Sequence, residues 1–538
     1  MATELPTRAG ARRPNALLAA LFVDDTSTWT VALVAVVPVL LAVAALFVPG
    51  RLVSREMTWD LLFLLEGAWH LHSGHVPYVD FHLVMGPVVF ELTRLGFLLV
   101  GFAPQAVLVA EVLAVLPIFA AATFAVSRRL PLLPSVLFVV YVSLLILLPA
   151  NIGDSVEAYS LAMLYNRWGW SALMTLCLIL FVPPRSEGDC GWIDPLIGLG
   201  LLFFLFYLKI TYALAGGVAV AFALVTPGHI RAHWRLWAAV LAVAGLDAVL
   251  PHNRAYLSDL WMFAQSGYIR ADFSAHARLM LDSKDEYALM LASIALLIWL
   301  RLRGQAPASC AASATVVCAL GVLVLSQNAQ IGDIPLVAIP LLVIYQVLRQ
   351  PHVLERSGAP SSSTAVVLPL AVLLAWPFLS VVSEAATFGG YYRLARRPWG
   401  MRTVTETNLR GLIVERSGEH VRYAVSQVTY VDTLLEASRF LAHLGGPLKI
   451  MVVDQTNPFP FMLGYPPPRG ANLWLQRETP PRPAAEMFGD ADVVLIPKFS
   501  TSPDATSSAL EVYGDYLAQT FPEQEELPSW TVLSRAVR

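Results

Sequence analysis

The sequence predicts a polytopic α-helical membrane protein with an α/β domain outside the membrane at its C-terminal end. Hydrophobic residues make up 57% of the chain and charged residues only 14%, and the mean hydropathy is +0.61. Soluble proteins average about 25% charged residues, so most of this chain faces something other than water. The net charge of −3 provides no overall basic surface for nucleic acid.

Residues 1–28 form a polar N-terminal tail that carries Arg8, Arg12 and Arg13. The apolar run that follows has about 20 residues, whereas the apolar region of a signal peptide is shorter and ends in a small-residue cleavage site. We therefore expect the tail to stay in the cytoplasm and the first helix to be retained.

Eleven apolar runs are candidates for membrane spans, which need about 20 residues each and about 17 at the lower limit. The predicted spans are 29–49, 104–126, 132–150, 168–184, 192–208, 210–227, 234–251, 286–302, 308–326, 334–349 and 363–384. Together they define a transmembrane domain over residues 29–384.

A twelfth apolar run, 84–101, is expected to lie along the outer interface, because basic loops remain on the cytoplasmic side of a membrane. With this run outside, the basic clusters of the loops that the prediction places in the cytoplasm all fall on one side. These are Arg128, Arg129, Arg185, Arg231, Arg235, Arg301, Arg303, Arg349 and Arg356. The sequence thus predicts a bacterial inner-membrane protein with a cytoplasmic N-terminus, outer interfacial helices at about 58–101, and a C-terminus outside.

Residues 385–538 are predicted to form a small periplasmic α/β domain. Helical spacing of apolar residues over 429–444 ends at Gly445-Gly446, a helix stop signal. The stretches 449–453 and 491–496 are typical of buried strands. No Gly-rich phosphate loop precedes a helix here, which disfavours a nucleotide site.

The first outer loop contains an ordered set of residues: Asp60, Gly74, Pro77-Tyr78 and Gly86-Pro87. This spacing resembles the GT-C superfamily of membrane glycosyltransferases. The branch it resembles contains the aminoarabinose transferases, protein O-mannosyltransferases and rhizobial lipopolysaccharide-core transferases. Two positions depart from that pattern, since Leu61 stands where the family often has a second acid and Gly86 where a proline is usual.

The resemblance implies a GT-C-like fold and transfer of a sugar from a polyprenyl-phosphate donor to a glycan, lipid or protein acceptor outside the cell. It implies that Asp60 is the catalytic general base. Independently, transfer to a hydroxyl requires a group that accepts its proton, and a carboxylate can do this. The alternative is that Asp60 caps a helix beginning at Leu61, since Asp is a favoured N-cap residue.

The second outer loop carries Asp154, Glu157 and Arg167. The resemblance implies an acid facing the sugar, and Asp154 is the matching position. Asp154 and Glu157 would share a face of a helix, where they could contact sugar hydroxyls or, with Asp60, bind a divalent cation through oxygen ligands. Alternatively the loop is solvated. Arg167 could bind the donor phosphate through its planar guanidinium or lie at the interface with its stem in the lipid.

Lys209 lies between two apolar runs, and an ionisable residue at membrane depth is by default a functional candidate. The predicted topology places it at the outer surface, where a lipid phosphate would lie; the alternative is a lysine that only reaches into the headgroups. Further predicted contacts to the sugar or acceptor are Tyr78, Asp80, Asn166, Gln327 and Asn328.

Two other functional classes remain alternatives, a membrane transporter or flippase and a non-catalytic cell-envelope assembly protein. Transporters often show internal repeats and paired broken helices, and neither is evident in this sequence. A transferase predicts that Asp60, Asp154 and Lys209 converge on one outward-facing cavity. A transporter predicts a polar track through the membrane core.

Overall fold

The computed structural model describes residues 27–186, 191–266, 284–327, 333–350, 364–415 and 424–535. Within these residues, each of the eleven predicted apolar runs is helical. The α-helices up to Arg396 are α1 (Thr28–Phe47), α2 (Thr58–His72), α3 (Val88–Val100), α4 (Ala106–Ser127), α5 (Leu132–Leu147), α6 (Leu164–Phe181), α7 (Ile193–Leu208), α8 (Ile210–Val225), α9 (His229–Ala232), α10 (Trp234–Val249), α11 (Arg254–Gln265), α12 (Lys284–Leu302), α13 (Ala308–Ser326), α14 (Ala338–Leu348) and α15 (Thr364–Arg396). Short 3₁₀ turns at Pro251–Asn253 and Pro335–Val337 precede α11 and α14.

Four described helical stretches are both long and apolar enough to cross a membrane: α1, α4, α13 and the Ala371–Arg396 part of α15. A fifth candidate is the pair formed by α10 and Pro251–Gln265, which is bent by 58°. Helices α5, α7 and α8 have 16 residues each, which corresponds to about 24 Å against a hydrocarbon core of about 30 Å. The count of eleven spans therefore stays a prediction.

The run that was expected to lie along the interface is α3, a helix of 13 residues. Its length of about 20 Å is too short to cross the hydrocarbon core. Helix α3 packs against α2 and α4. Its Gly96 lies so close to α4 that a Cβ atom there would be 2.3 Å from the carbonyl oxygen of Ala106.

Helix α15 runs 33 residues to Arg396 and includes residue 385, where the C-terminal domain was predicted to begin, and these domain bounds stay a prediction. The C-terminal region follows α15. Its α-helices are α16 (Gln427–Leu444), α17 (Phe459–Leu463), α18 (Ala484–Phe488) and α19 (Pro503–Thr520). Ser426 caps α16 by accepting a hydrogen bond from the N–H of Thr429, and Gly445, with φ +79°, ends the helix, as the sequence predicted.

Two sheets organise the C-terminal region, with strands β1 (Leu52–Val53), β2 (Met401–Thr403), β3 (Leu412–Glu415), β4 (Ile450–Val452), β5 (Val493–Pro497), β6 (Glu523–Glu526) and β7 (Trp530–Ser534). The larger sheet has the order β4-β5-β7-β6, and its parallel pair β4-β5 corresponds to the two predicted strands. The smaller sheet has the order β1-β3-β2. Because β1 precedes α2 and pairs with β3 in parallel, this sheet joins the first outer loop to the C-terminal region.

Candidate active site

Two helices that carry predicted site residues begin in the same unusual way. Met57 precedes α2 and Met163 precedes α6, and both methionines have φ +49°. The left-handed conformation is uncommon for a residue with a side chain and is concentrated at functional sites. The first turns of α2 and α6 meet at this point, because the carboxylate of Asp60 accepts a hydrogen bond from the backbone N–H of Met163.

Asp60 is buried in this contact, with 8% of its surface exposed. Helix α2 begins at Thr58, so Asp60 is the third helical residue and the N-cap position belongs to Met57. The alternative in which Asp60 caps a helix starting at Leu61 is therefore wrong. Burial raises the pKa of Asp60 from 3.8 to about 7, and the hydrogen bond from Met163 acts in the opposite direction.

Lys209 contacts the same turn of α6, through Asn166. It separates α7 from α8 in an extended conformation (φ −163°, ψ 125°). Its Nζ lies 3.3 Å from Oδ1 of Asn166 and 5.2 Å from the ring centroid of Tyr165. Asn166 in turn donates its backbone N–H to the carbonyl oxygen of Met163. Asp60 and Lys209 thus both contact the N-terminal end of α6, Asp60 at Met163 and Lys209 at Asn166.

The Gly86-Pro87 motif of the first outer loop lies against the turn that contains Lys209. The N–H of Gly86 donates to the carbonyl oxygen of Leu208 at 3.0 Å. A Cβ atom on Gly86 would lie 1.9 Å from the carbonyl oxygen of Tyr207, so only glycine fits this approach. The motif therefore holds the first outer loop against the α7–α8 turn.

Tyr78 and Asp80 stabilise the first outer loop itself. Tyr78, with φ +64°, donates its hydroxyl to the carbonyl oxygen of Met85 at 2.8 Å, and burial raises its pKa well above 10. Its ring lies 4.9 Å from that of Tyr256. Asp80 accepts the N–H of Val76 at 2.8 Å. Both residues therefore have contacts within the protein, and their contacts to a sugar stay a prediction.

Arg167 has a different role from the predicted phosphate contact. Its side chain is 1% exposed and forms an ion pair of 2.9 Å with Glu111 of α4. It also donates to the carbonyl oxygen of Ala150 at 3.0 Å. The guanidinium therefore connects α4, α6 and the second outer loop inside the protein. The sequence analysis missed Glu111, although an acidic residue inside an apolar run was a signal available from the sequence.

The predicted acid pair of the second outer loop is also corrected by the structure. Residues 151–163 form turns and bends, so Asp154 and Glu157 do not share a helix face. Glu157 is 77% exposed and lies 3.8 Å from Arg55. Asp154 accepts from the side chain of Asn151 at 3.2 Å and lines a separate cavity with Glu384.

The divalent-cation alternative required Asp60, Asp154 and Glu157 to come together. Among the described residues, no group of three or more His, Cys, Asp or Glu side chains is placed to hold a metal ion. Of the last predicted contacts, Gln327 is the C-cap residue of α13, and Asn328 lies outside the described residues.

The C-terminal region packs against α2 on the side of the candidate site. Gln427 accepts the N–H of Thr58 at 2.8 Å, and Tyr430 packs edge-on against Trp59 with 5.8 Å between ring centroids. Further along α2, Glu66 accepts the N–H of Phe461 at 3.1 Å. Burial raises the pKa of Glu66 well above 4.5, which favours its neutral form.

A second contact joins the first outer loop, α11 and the C-terminal region. Asp259 of α11 lies 3.0 Å from Nδ1 of His82 and accepts from Arg482 at 2.8 Å. Arg482 also lies 3.2 Å from Glu486. Because these charged groups are paired with one another, they hold the three segments in one arrangement around the candidate site.

No protein-family model matches the chain, and no curated protein matches it. Among solved structures, it is similar to ArnT from Cupriavidus metallidurans bound to undecaprenyl phosphate, with 14% identity, 94% of this chain and 98% of that chain covered, and a TM-score of 0.46. The apo state of ArnT gives the same values. The chain is also similar to the Archaeoglobus fulgidus oligosaccharyltransferase in complex with Zn and sulfate, with 9% identity and a TM-score of 0.35. This match covers 86% of this chain and 68% of that chain.

Both matched proteins are GT-C glycosyltransferases, the superfamily that the sequence resembles. Similarity at these identities and TM-scores does not assign a function to this chain. Its function has to be inferred from its own side chains.

Proposed function

We propose that this protein transfers a sugar from a polyprenyl-phosphate donor to an acceptor hydroxyl outside the cell, on a lipopolysaccharide, another glycan or a protein. One observation carries the proposal: the carboxylate of Asp60 and the ammonium of Lys209 both contact the N-terminal end of α6, at Met163 and at Asn166. This arrangement brings a proton acceptor and a cation to the same end of one helix.

Asp60 is proposed as the general base. A base works best when its pKa lies near the working pH, because it is then ionised and still accepts a proton readily. Burial places the pKa of Asp60 at about 7, which meets this condition. As the bond between the sugar and the phosphate breaks, the acceptor hydroxyl attacks the sugar and gives its proton to Asp60.

Lys209 is proposed to bind the donor phosphate. Its ammonium is held by Asn166 and the Tyr165 ring at the junction of α7 and α8. The N-terminus of α6 adds to the positive potential there, since helix N-termini favour anions. The phosphate leaves as an anion, so a positive surrounding stabilises the developing charge. Arg167, which is paired with Glu111, has no part in this proposal.

The transporter alternative predicted a polar track through the bundle. Two buried ion pairs involve residues at opposite ends of α4: Glu111 with Arg167 near its start, and Arg129, just beyond its end, with Asp194. Between them, α4 carries only apolar residues from 112 to 122. This favours chemistry at one end of the bundle over a polar path along α4.

The test is a lipid-linked-sugar consumption assay on the purified protein with Asp60→Asn and Lys209→Met. We expect the first variant to lower kcat by about 10²–10⁴ and the second to weaken use of the donor. The matched control is Asp504→Asn, an exposed position in the first turn of α19. Wild-type turnover by Asp60→Asn would contradict the proposal, and a glycan profile of a deletion strain would identify the product.

A further inference from the structure

A polar cavity lies between α5, α15 and the second outer loop. Its volume is about 290 Å³, and its polar lining includes Asp154, Asp333, Ser380, Ser383, Glu384 and Thr387. No Lys, Arg or His is among the described residues that line it. The described lining of the cavity therefore combines carboxyl and hydroxyl groups.

Glu384 is the most informative residue of this cavity. It lies on α15, its surface is only 7% exposed, and its Oε2 atom has no hydrogen-bond partner among the described residues. A buried carboxylate without a partner is unfavourable and is usually paired or bound to a cation. In addition, the carboxyl group of Asp333 lines the same cavity. A positively charged donor would satisfy the Oε2 atom of Glu384 and offset the two acidic groups.

The hydroxyl groups of α15 point to the same kind of ligand. Ser380, Ser383, Glu384 and Thr387 follow the spacing that places residues on one helix face. Ser380 donates its hydroxyl to the carbonyl oxygen of Trp376 at 3.0 Å, and Thr387 donates to that of Ser383 at 3.1 Å. Because each of these hydroxyls has used its only hydrogen, its oxygen remains as an acceptor.

An organic ammonium group fits this lining better than a metal ion. It offers three N–H donors to carboxylate and hydroxyl acceptors. The volume of about 290 Å³ accommodates a small molecule or headgroup. No group of three or more His, Cys, Asp or Glu side chains in the described part of the chain has a metal-binding arrangement.

We propose that the cavity between α5 and α15 binds the primary ammonium group of a small molecule or a lipid headgroup, with Glu384 as its counter-ion. This site is separate from the start of α6, which Asp60 and Lys209 contact. Binding of an ammonium group in the cavity does not depend on sugar transfer at Asp60. The two sources of the ammonium group are a soluble amine and an aminophospholipid, and the experiment distinguishes them.

The soluble arm uses the full-length protein in phosphatidylcholine nanodiscs, titrated with ethanolamine in a calorimeter. Ethylene glycol serves as the neutral probe of matched size. We expect ethanolamine to bind and ethylene glycol not to bind, and Glu384→Gln to weaken ethanolamine binding by about tenfold or more because a charge-assisted hydrogen bond is lost. The control Glu511→Gln, at an exposed position of α19, should bind like the wild type.

The lipid arm uses native mass spectrometry of protein from nanodiscs that contain phosphatidylethanolamine. Retention of this lipid by the wild type but not by Glu384→Gln would identify a headgroup as the ligand.

Glu384→Gln should have a melting temperature at least as high as that of the wild type, since it removes a buried charge. Lost binding would then not reflect unfolding. If it fails to fold, Thr387→Val is the second variant and should weaken binding in the same arm. Absence of Glu384-dependent binding in both arms, or tighter binding of Mg²⁺ than of ethanolamine, would overturn the proposal.

Discussion

Replacement of Asp60 by asparagine should separate activity from stability, because the same burial that prepares the carboxylate as a base also destabilises its ionised form. Asp60 is 8% exposed, and burial raises its pKa from 3.8 to about 7. Asparagine has nearly the same shape, and its Oδ1 can still accept the N–H of Met163. The substitution therefore removes the charge and leaves the contact between α2 and α6.

The sign and size of the stability effect follow from the two pKa values. The pKa is higher in the folded than in the unfolded chain, so ionisation opposes folding, and stability falls as the pH rises from about 3.8 to about 7. The difference of about 3 pH units corresponds to about 4 kcal/mol above pH 7 and to about 2 kcal/mol at pH 5.5. Asp60→Asn should therefore be more stable than the wild type at pH 8, with a smaller gain at pH 5.5.

The activity of the wild type should rise with pH, whereas its stability falls. With a pKa of about 7, the ionised fraction of Asp60 rises from roughly 9% at pH 6 to roughly 91% at pH 8. Because only the carboxylate accepts a proton, wild-type kcat should rise about tenfold over this interval. Asp60→Asn should lose activity at every pH.

The assay combines kcat for consumption of a lipid-linked sugar with thermal denaturation in detergent, both between pH 5.5 and 8.5. Asp504→Asn, in which an exposed carboxylate is replaced, should match the wild type in both measurements. A wild-type rate that stays flat between pH 6 and 8 would remove Asp60 as the titrating base. A variant less stable than the wild type at pH 8 would show that burial does not destabilise the Asp60 carboxylate.

Further substitutions at Lys209, at the Arg167–Glu111 pair and at Gly86 test the framework around this residue. Lys209→Met should raise KM for the lipid-linked donor by about tenfold or more with the melting temperature unchanged, and Lys209→Arg should recover part of the loss; an unchanged KM would exclude a phosphate contact. Arg167→Met or Glu111→Gln alone should destabilise the protein by about 3–5 kcal/mol in thermal denaturation, because each leaves a buried group without its partner. The double variant should lose less than the sum of both, and additive losses would contradict the pairing. Gly86→Ala should lower the melting temperature and kcat because its Cβ would lie 1.9 Å from the carbonyl oxygen of Tyr207, whereas Gly217→Ala, which meets no atom within 4 Å, should behave like the wild type.

The helices could be predicted because their signals are local. Each of the eleven apolar runs is helical, and Gly445 ends α16 where expected, since hydropathy and stop signals involve neighbouring residues. The end of α15 was missed because Ala385–Arg396 is too polar to be read as part of a span. The pairing of β1 with β3 was also missed, because Leu52 and its partner Leu412 are far apart in the sequence.

The same distinction between local and distant signals applies to the residues of the candidate site. Lys209 stood out because an ionisable residue interrupts two apolar runs, and the structure places it beside Asn166. The same rule applied to Glu111 would have identified the partner of Arg167. Glu157 was misjudged because spacing of three residues places side chains together only on a helix, and its loop forms turns.

The C-terminal region contributes to the properties of Asp60 as well as to the shape of the site. Gln427 binds the N-terminus of α2 through Thr58 at 2.8 Å, and Tyr430, which is 2% exposed, interacts electrostatically with Asp60. Because the raised pKa of Asp60 comes mainly from burial, any segment that excludes water from this end of α2 helps to set it. We infer that the C-terminal region helps to keep the proposed base in the low-polarity surroundings on which its reactivity depends.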